Sequence, residues 1–188
     1  MRRCMVLIVF ALFGFLWGCQ SVQVSQDYDL SKDFSSLKTY GWQTKSQPKT
    51  GDIRVDNPLL DARIRAAIND SLSKKGYQRI PEERPDFHVA YKYQVSSKIE
   101  SDNVGVGVGF GWGGRSRFGG IGVDSGRHIS EYDEGVLVID LTGASNGDLL
   151  WRGTGTARVD RHSTPEEITK WVNEAVERIL SQFPPLPK

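Results

Sequence analysis

The sequence predicts an α+β domain: an antiparallel β-sheet with two helices packed on one face and a glycine-rich insertion between strands. Three observations carry this. Two segments repeat apolar residues at three-to-four spacing between good capping residues, as amphipathic helices do. Three runs, 86–95, 135–141 and 149–159, carry the alternation or the continuous apolar character of strands. The order is strand, strand, helix, strand, insertion, strand, strand, helix, and a sheet covered on one face buries both helical stripes.

The chain opens with Arg2 and Arg3, then an apolar run from Met5 to Trp17, then Gly18-Cys19. A charged start, a short apolar stretch and a small residue before a cut describe a signal peptide. The run is shorter than the roughly 20 residues that a membrane-spanning helix needs. Leu16-Trp17-Gly18-Cys19 resembles a bacterial lipobox, although Trp17 stands where a small or β-branched residue is usual. The resemblance implies cleavage before Cys19 and acylation of its thiol. Residues 1–18 are then a lipoprotein signal peptide, and 19–188 form one lipoprotein domain. By the same resemblance to lipoproteins of Gram-negative bacteria, Gln20 rather than Asp after the cysteine implies the outer membrane, with the domain facing the periplasm.

Removing residues 1–18 takes away Arg2 and Arg3, so the formal charge moves from +1 to −1. Near-neutrality offers no electrostatic footprint for nucleic acid. Of the two cysteines, Cys4 leaves with the signal and Cys19 becomes the lipid site. The mature domain then has no disulfide, no thiolate metal ligand and no cysteine nucleophile.

Val22 and Val24 alternate with Gln23 and Ser25, which starts a strand reaching about Tyr28. Lys38 to Trp42 is rich in β-formers and reads as a second strand. Residues 43–56 are polar and contain Pro48 and Gly51, so they read as a loop. Asp56 or Asn57 caps the first helix and Pro58 suits its first turn. Leu60, Ile64, Ala67, Ile68 and Leu72 make its buried stripe, and Gly76 supplies the left-handed stop. In "DFHVAYKYQV", Phe87, Val89, Tyr91, Tyr93 and Val95 share one face of a half-buried strand. "GVLVIDL", 135–141, reads as a central strand, Asn146-Gly147 as a turn, and 149–159 as the returning partner. In the last helix Thr164 and Glu167 form a capping box around Pro165. Its stripe is Ile168, Trp171, Val172, Ala175, Val176, Ile179 and Phe183, with Trp171 and Ile179 expected against Leu137 and Ile139.

Ten of the chain's 20 glycines fall in residues 104–126. Val104, Val106, Val108, Phe110 and Trp112 alternate with glycine there, giving an extended segment one apolar face and one bare backbone face. With Arg115, Arg117 and Phe118 they make a candidate contact segment, because aromatic and cationic side chains together suit a membrane interface or an anionic partner.

Catalytic and metal motifs do not assemble. His88, His128 and His162 lack the spacing of a helical zinc site, and Ser116 and Ser125 are not framed as a nucleophile elbow. Gly109 to Gly114 matches a dinucleotide-loop pattern in letters, but no helix pattern follows to bind a pyrophosphate. Glu131, Asp133 and Glu134 read as a charged approach to a strand rather than as cation ligands. The expectation is no enzyme, no metal and no cofactor.

Taken together, "YDLSKDFSSLKTYGW" (28–42), "NPLLDARIRAAINDSLSKKGY" (57–77), "PDFHVAYKYQV" (85–95), "GVLVIDL" (135–141), "LLWRGTGTA" (149–157) and "ILSQFPP" (179–185) resemble the bacterial lipoproteins grouped as domain-of-unknown-function family 4136. The resemblance covers nearly all of residues 20–185. It implies a lipoprotein domain and brings no catalytic residue set. A binding or adaptor module of the envelope is the expected function, tethered to the membrane through its N-terminal lipid. An envelope protein, a lipid or peptidoglycan would be its partner. The alternative is a structural component that associates, with itself or with membrane, through the glycine-rich segment.

Overall fold

A computed structural model describes residues 22–43, 47, 49–80, 84–102, 128–160 and 162–186. The signal segment, Cys19 and the contact-segment residues Phe110, Trp112, Arg115, Arg117 and Phe118 lie outside the described residues. Six strands form one sheet: β1 Gln23–Tyr28, β2 Thr39–Trp42, β3 Gln78–Arg79, β4 Phe87–Asp102, β5 His128–Gly143 and β6 Leu149–Val159. Two helices, α1 Pro58–Lys74 and α2 Pro165–Ser181, complete the α+β domain.

The strand order is β1-β6-β5-β4-β2-β3. Pairings β1–β6, β6–β5 and β5–β4 are antiparallel, but β2 runs parallel to both β3 and β4. The wholly antiparallel sheet expected from the sequence is therefore corrected to a mixed one. The reason is the helix between β2 and β3. A helix of 17 residues reaches about 25 Å at 1.5 Å per residue, enough to carry the chain back along the sheet before the next strand begins.

Local chemistry sets the helix ends. The Asn57 side chain accepts from Leu59 N–H at 2.9 Å, with Pro58 at the first helical position. At the far end Gly76 takes φ +88°, while Tyr77 N–H closes onto the Leu72 carbonyl at 3.0 Å. In α2 the capping box forms as the sequence predicts. Thr164 Oγ1 accepts from Glu167 N–H at 3.3 Å, and Glu167 Oε2 accepts from Thr164 N–H at 2.7 Å.

Both helices lie on the face made by Phe87, Val89, Tyr91 and Tyr93 of β4 and Leu137, Ile139 and Leu141 of β5, all buried. Tyr91 Oη donates to Asp61 of α1 at 2.5 Å, and the Tyr93 ring meets Trp171 of α2 at 5.5 Å. Helix α2 can settle onto β6 because Gly153 and Gly155 leave room. A Cβ at Gly153 would come 2.4 Å from Ile179, and one at Gly155 would come 2.8 Å from it. Ile179 is fully buried as expected, but Trp171 is only partly buried. Trp171 lies in the first half of α2, beside Tyr93, at the end of the core away from Phe87.

Opposite that end the core is aromatic. Phe183 contacts Phe34, Tyr77, Phe87 and Trp151, with centroids 5.3 to 6.0 Å apart. Asp86 ties the corner down, its Oδ2 accepting from Lys38 N–H, Thr39 N–H and Thr39 Oγ1 at 2.8 to 2.9 Å.

Candidate binding cavity

A cavity of about 450 Å³ opens where the first turns of α1 and α2 meet the middle of β4 and β5 and the end of β6. Its apolar wall joins Leu60 of α1, Ile168 and Trp171 of α2, and Tyr93, Val95 and Val159 of the sheet. Arg54 and Asn57 from the loop before α1, and Arg158, Asp160, Ser163 and Glu167 beside α2, give it a polar margin.

The buried charge is Asp133. Strand alternation turns it to the helix side with Gly135, Leu137 and Ile139, and it is 3% exposed. It accepts from Arg54 Nη1 at 2.7 Å and from Ser97 Oγ at 2.8 Å. Arg54 also reaches Asp52, Nη2 to Oδ2 at 2.6 Å and Nε to Oδ1 at 3.0 Å. One guanidinium thus bridges a buried and a more exposed carboxylate, using the fork geometry that only arginine offers. The hydrogen bonds from Arg54 hold the Asp52 carboxyl below its usual range. A buried carboxylate costs several kcal/mol of solvation, so it persists where its cation and hydrogen bonds are well placed.

Tyr93 sits in the wall, 7% exposed, with its ring over Gly135. A Cβ at Gly135 would meet Tyr93 Oη and Val159 Cγ1, each at 2.9 Å, so glycine is what lets the ring lie there. Burial pushes the Tyr93 hydroxyl up to about 12, so it stays a neutral hydrogen-bond donor at physiological pH. The backbone of Tyr93 is held by Gln47. Tyr93 N–H donates to Gln47 Oε1 at 2.7 Å, and Gln47 Nε2 donates to the Tyr93 carbonyl at 2.9 Å. That amide occupies the place of a neighbouring strand just beyond the end of β2. Trp171 Nε1 is buried and has no acceptor among the described residues. An unmade bond of this kind costs roughly 1–3 kcal/mol.

The acidic trio of the sequence is split by the pleat. Asp133 faces the cavity, whereas Glu134 turns to the other side and lies 3.6 Å from Lys98 Nζ. Among the described residues, no group of His, Cys, Asp and Glu could hold a metal ion. His162 is exposed, its N–H donating to Asp160 Oδ1 at 2.8 Å. Sequence patterning placed Tyr93, Val95, Leu60, Ile168 and Trp171 on apolar faces without showing that they meet. Arg54 was missed inside a polar loop. The position of Asp133, two residues before Gly135 in a strand with odd-numbered core residues, was a signal that it points inward.

The family model for "Domain of unknown function (DUF4136)" matches residues 24–185, and the chain belongs to that family. Among solved structures it is similar to a PDZ domain protein from Parabacteroides distasonis, with TM-score 0.52 and 12% identity over 96% of this chain. The match covers 40% of that longer protein. It is also similar to the PelC dodecamer from Paraburkholderia phytofirmans, with TM-score 0.48, 14% identity, and coverage of 86% of this chain and 95% of that one. A neuraminyllactose-binding hemagglutinin homolog from Helicobacter pylori matches at TM-score 0.40 and 12% identity, over 83% of this chain and 89% of that one. At such identities the likeness concerns the fold alone. No curated protein matches the chain.

Proposed function

We propose that this DUF4136 domain is a binding or adaptor module of the bacterial cell envelope, tethered to the outer membrane through a lipidated Cys19, with the cavity beside Tyr93 as its binding site. The carrying observation is the contrast inside that cavity. The charges around it are engaged: Arg54 with Asp52 and Asp133, Glu167 with Thr164, and Arg158 over the Tyr132 ring at 4.0 Å. Trp171 Nε1 is buried with no acceptor among the described residues, and the Trp171 ring lies in an apolar wall beside the neutral Tyr93. An apolar cavity with a few convergent polar groups is what small-ligand recognition needs. With the acids paired and Tyr93 protonated, the same groups are poorly placed to move protons, so the reading is of binding rather than catalysis.

The topology supports the tether. Gln23 pairs with Thr156, so β1 begins at the cavity end of the sheet. β4 and β5 also run on past the cavity to Asp102 and His128, so residues 103–127 join the domain at that end. The proposed contact residues Phe110, Trp112, Arg115, Arg117 and Phe118 fall between those two strands in sequence. That segment serves as the module's contact with membrane or an envelope partner.

The test is thermal shift of the mature chain against muropeptides, phospholipids and envelope-derived peptides, with Ile168→Trp as the variant that fills the cavity. A ligand that raises the Tm of the parent and not of the variant supports the site. Equal shifts in both, or none with any ligand, overturn it. The tether is tested separately by mass spectrometry of the mature N-terminus, where an unmodified Cys19 defeats it.

A further inference from the structure

The sheet has two edges, and they differ. β3 is two residues long, whereas β1 has six and is exposed over nearly its whole length. Asp29 N–H donates to the Leu150 carbonyl at 3.0 Å, one step past the Tyr28–Trp151 pair. Hydrogen-bonded pairs alternate along an antiparallel ladder. Asp27, Ser25 and Gln23 therefore turn their backbone groups toward β6, and Tyr28, Gln26 and Val24 turn theirs outward. No described residue bonds these outward groups. The strand carries no proline, no lysine and no bulge, the usual devices that blunt an edge. At its start, Arg178 Nη1 lies 3.4 Å from the Val22 carbonyl and closes the row there.

We infer that β1 is a self-pairing edge, joining antiparallel to β1 of a second copy about a two-fold axis at Gln26. The register follows from the chain's own residues. With Gln26 opposite the partner's Gln26, Val24 opposes the partner's Tyr28, and all three outward residues are matched. On the helix side this lays Val24, which is 38% exposed, against a tyrosine ring. On the other side it sets Asp27 opposite the partner's Ser25, with no like charges apposed. A shift one way would set Asp27 against the partner's Asp27. A shift the other way would set Tyr28 against the partner's Val22, whose carbonyl Arg178 already holds. The joined sheet would be continuous across both copies.

The experiment is disulfide trapping of the full chain in its host envelope. Paired strand residues bring Cα atoms to about 5.5 Å, inside the disulfide range of about 4.4–6.8 Å. Gln26→Cys should form a reductant-sensitive dimer on mild oxidation, at least tenfold above the parent chain and above Ser73→Cys on α1. Gln26 Oε1 accepts from Trp151 Nε1 at 2.9 Å, so this variant could lose stability. Mixed Ser25→Cys and Asp27→Cys chains test the same register without touching that bond, and should cross-link more than either alone. Adding Val24→Pro, which removes only an outward N–H, should abolish trapping while leaving the melting curve of the domain in place. Trapping no stronger at Gln26→Cys and in the mixed pair than at Ser73→Cys overturns the proposal. So does trapping that survives Val24→Pro.

Discussion

At one end of the core Phe183 is buried against four other rings; at the other, Trp171 and Tyr93 wall a cavity whose margin holds the Arg54–Asp133 pair. The two ends share strands and helices, yet they use opposite means to satisfy the same chain. The aromatic end buries area and needs few polar partners. The cavity end keeps a carboxylate inside, supports it with an arginine 79 residues away, and leaves an indole N–H without an acceptor among the described residues. The first end contributes more to stability than the second, because an unfilled cavity and an unmade bond lower stability wherever they are placed.

Phe183→Ala should have the largest effect. The side chain is fully buried among four rings, and its loss should cost about 3–5 kcal/mol. Urea denaturation measures this directly, and a change below about 1 kcal/mol would mean that the aromatic end is not the anchor. Arg54→Ala comes next. Removing one partner of a buried pair costs about 3–5 kcal/mol, but the Arg54 side chain is 43% exposed and water can partly replace it. About 1–3 kcal/mol is expected, with partial rescue in Arg54→Ala/Asp133→Asn, since neutral asparagine needs no cation. Lack of rescue would show that Arg54 acts through loop packing instead of charge.

The smallest effect belongs to pH at the aromatic corner. Hydrogen bonds from Lys38 and Thr39 N–H hold Asp86 below its ordinary 3.8. A carboxyl lowered in the folded state contributes stability above its unfolded value and loses it as pH falls through the folded one. Wild-type and Asp86→Ala melting points should therefore differ near neutrality, and the gap should close as pH falls below 3.8 and through the lowered folded value. A gap that stays constant through the whole acid range would assign the effect to the Asp86 backbone rather than to its carboxylate.

The elements that were legible in the sequence are those made by near neighbours. Pro58, Gly76 and the Thr164–Glu167 box announce helix ends within a turn, and the stripes of α1 and α2 repeat within four residues. The strand alternation of 87–95 is equally local. The polar extensions 96–102 and 128–134 were not legible, because they alternate no apolar face and form a ribbon by pairing with each other across the insertion. β3 was missed because two residues carry no period.

The two amphipathic helices, their caps, the main core strands, the α+β class and the family are all legible from local pattern. Each rests on interactions spanning a few residues, which a pattern can display. Packing of distant segments sets the rest: β2 lies parallel to β4, Asp133 meets Arg54, Trp171 walls a cavity instead of filling the core, and β1 has no neighbour on its outer side among the described residues. These depend on which distant segments share one end or one border of the sheet, and that is set by the packing of the whole chain.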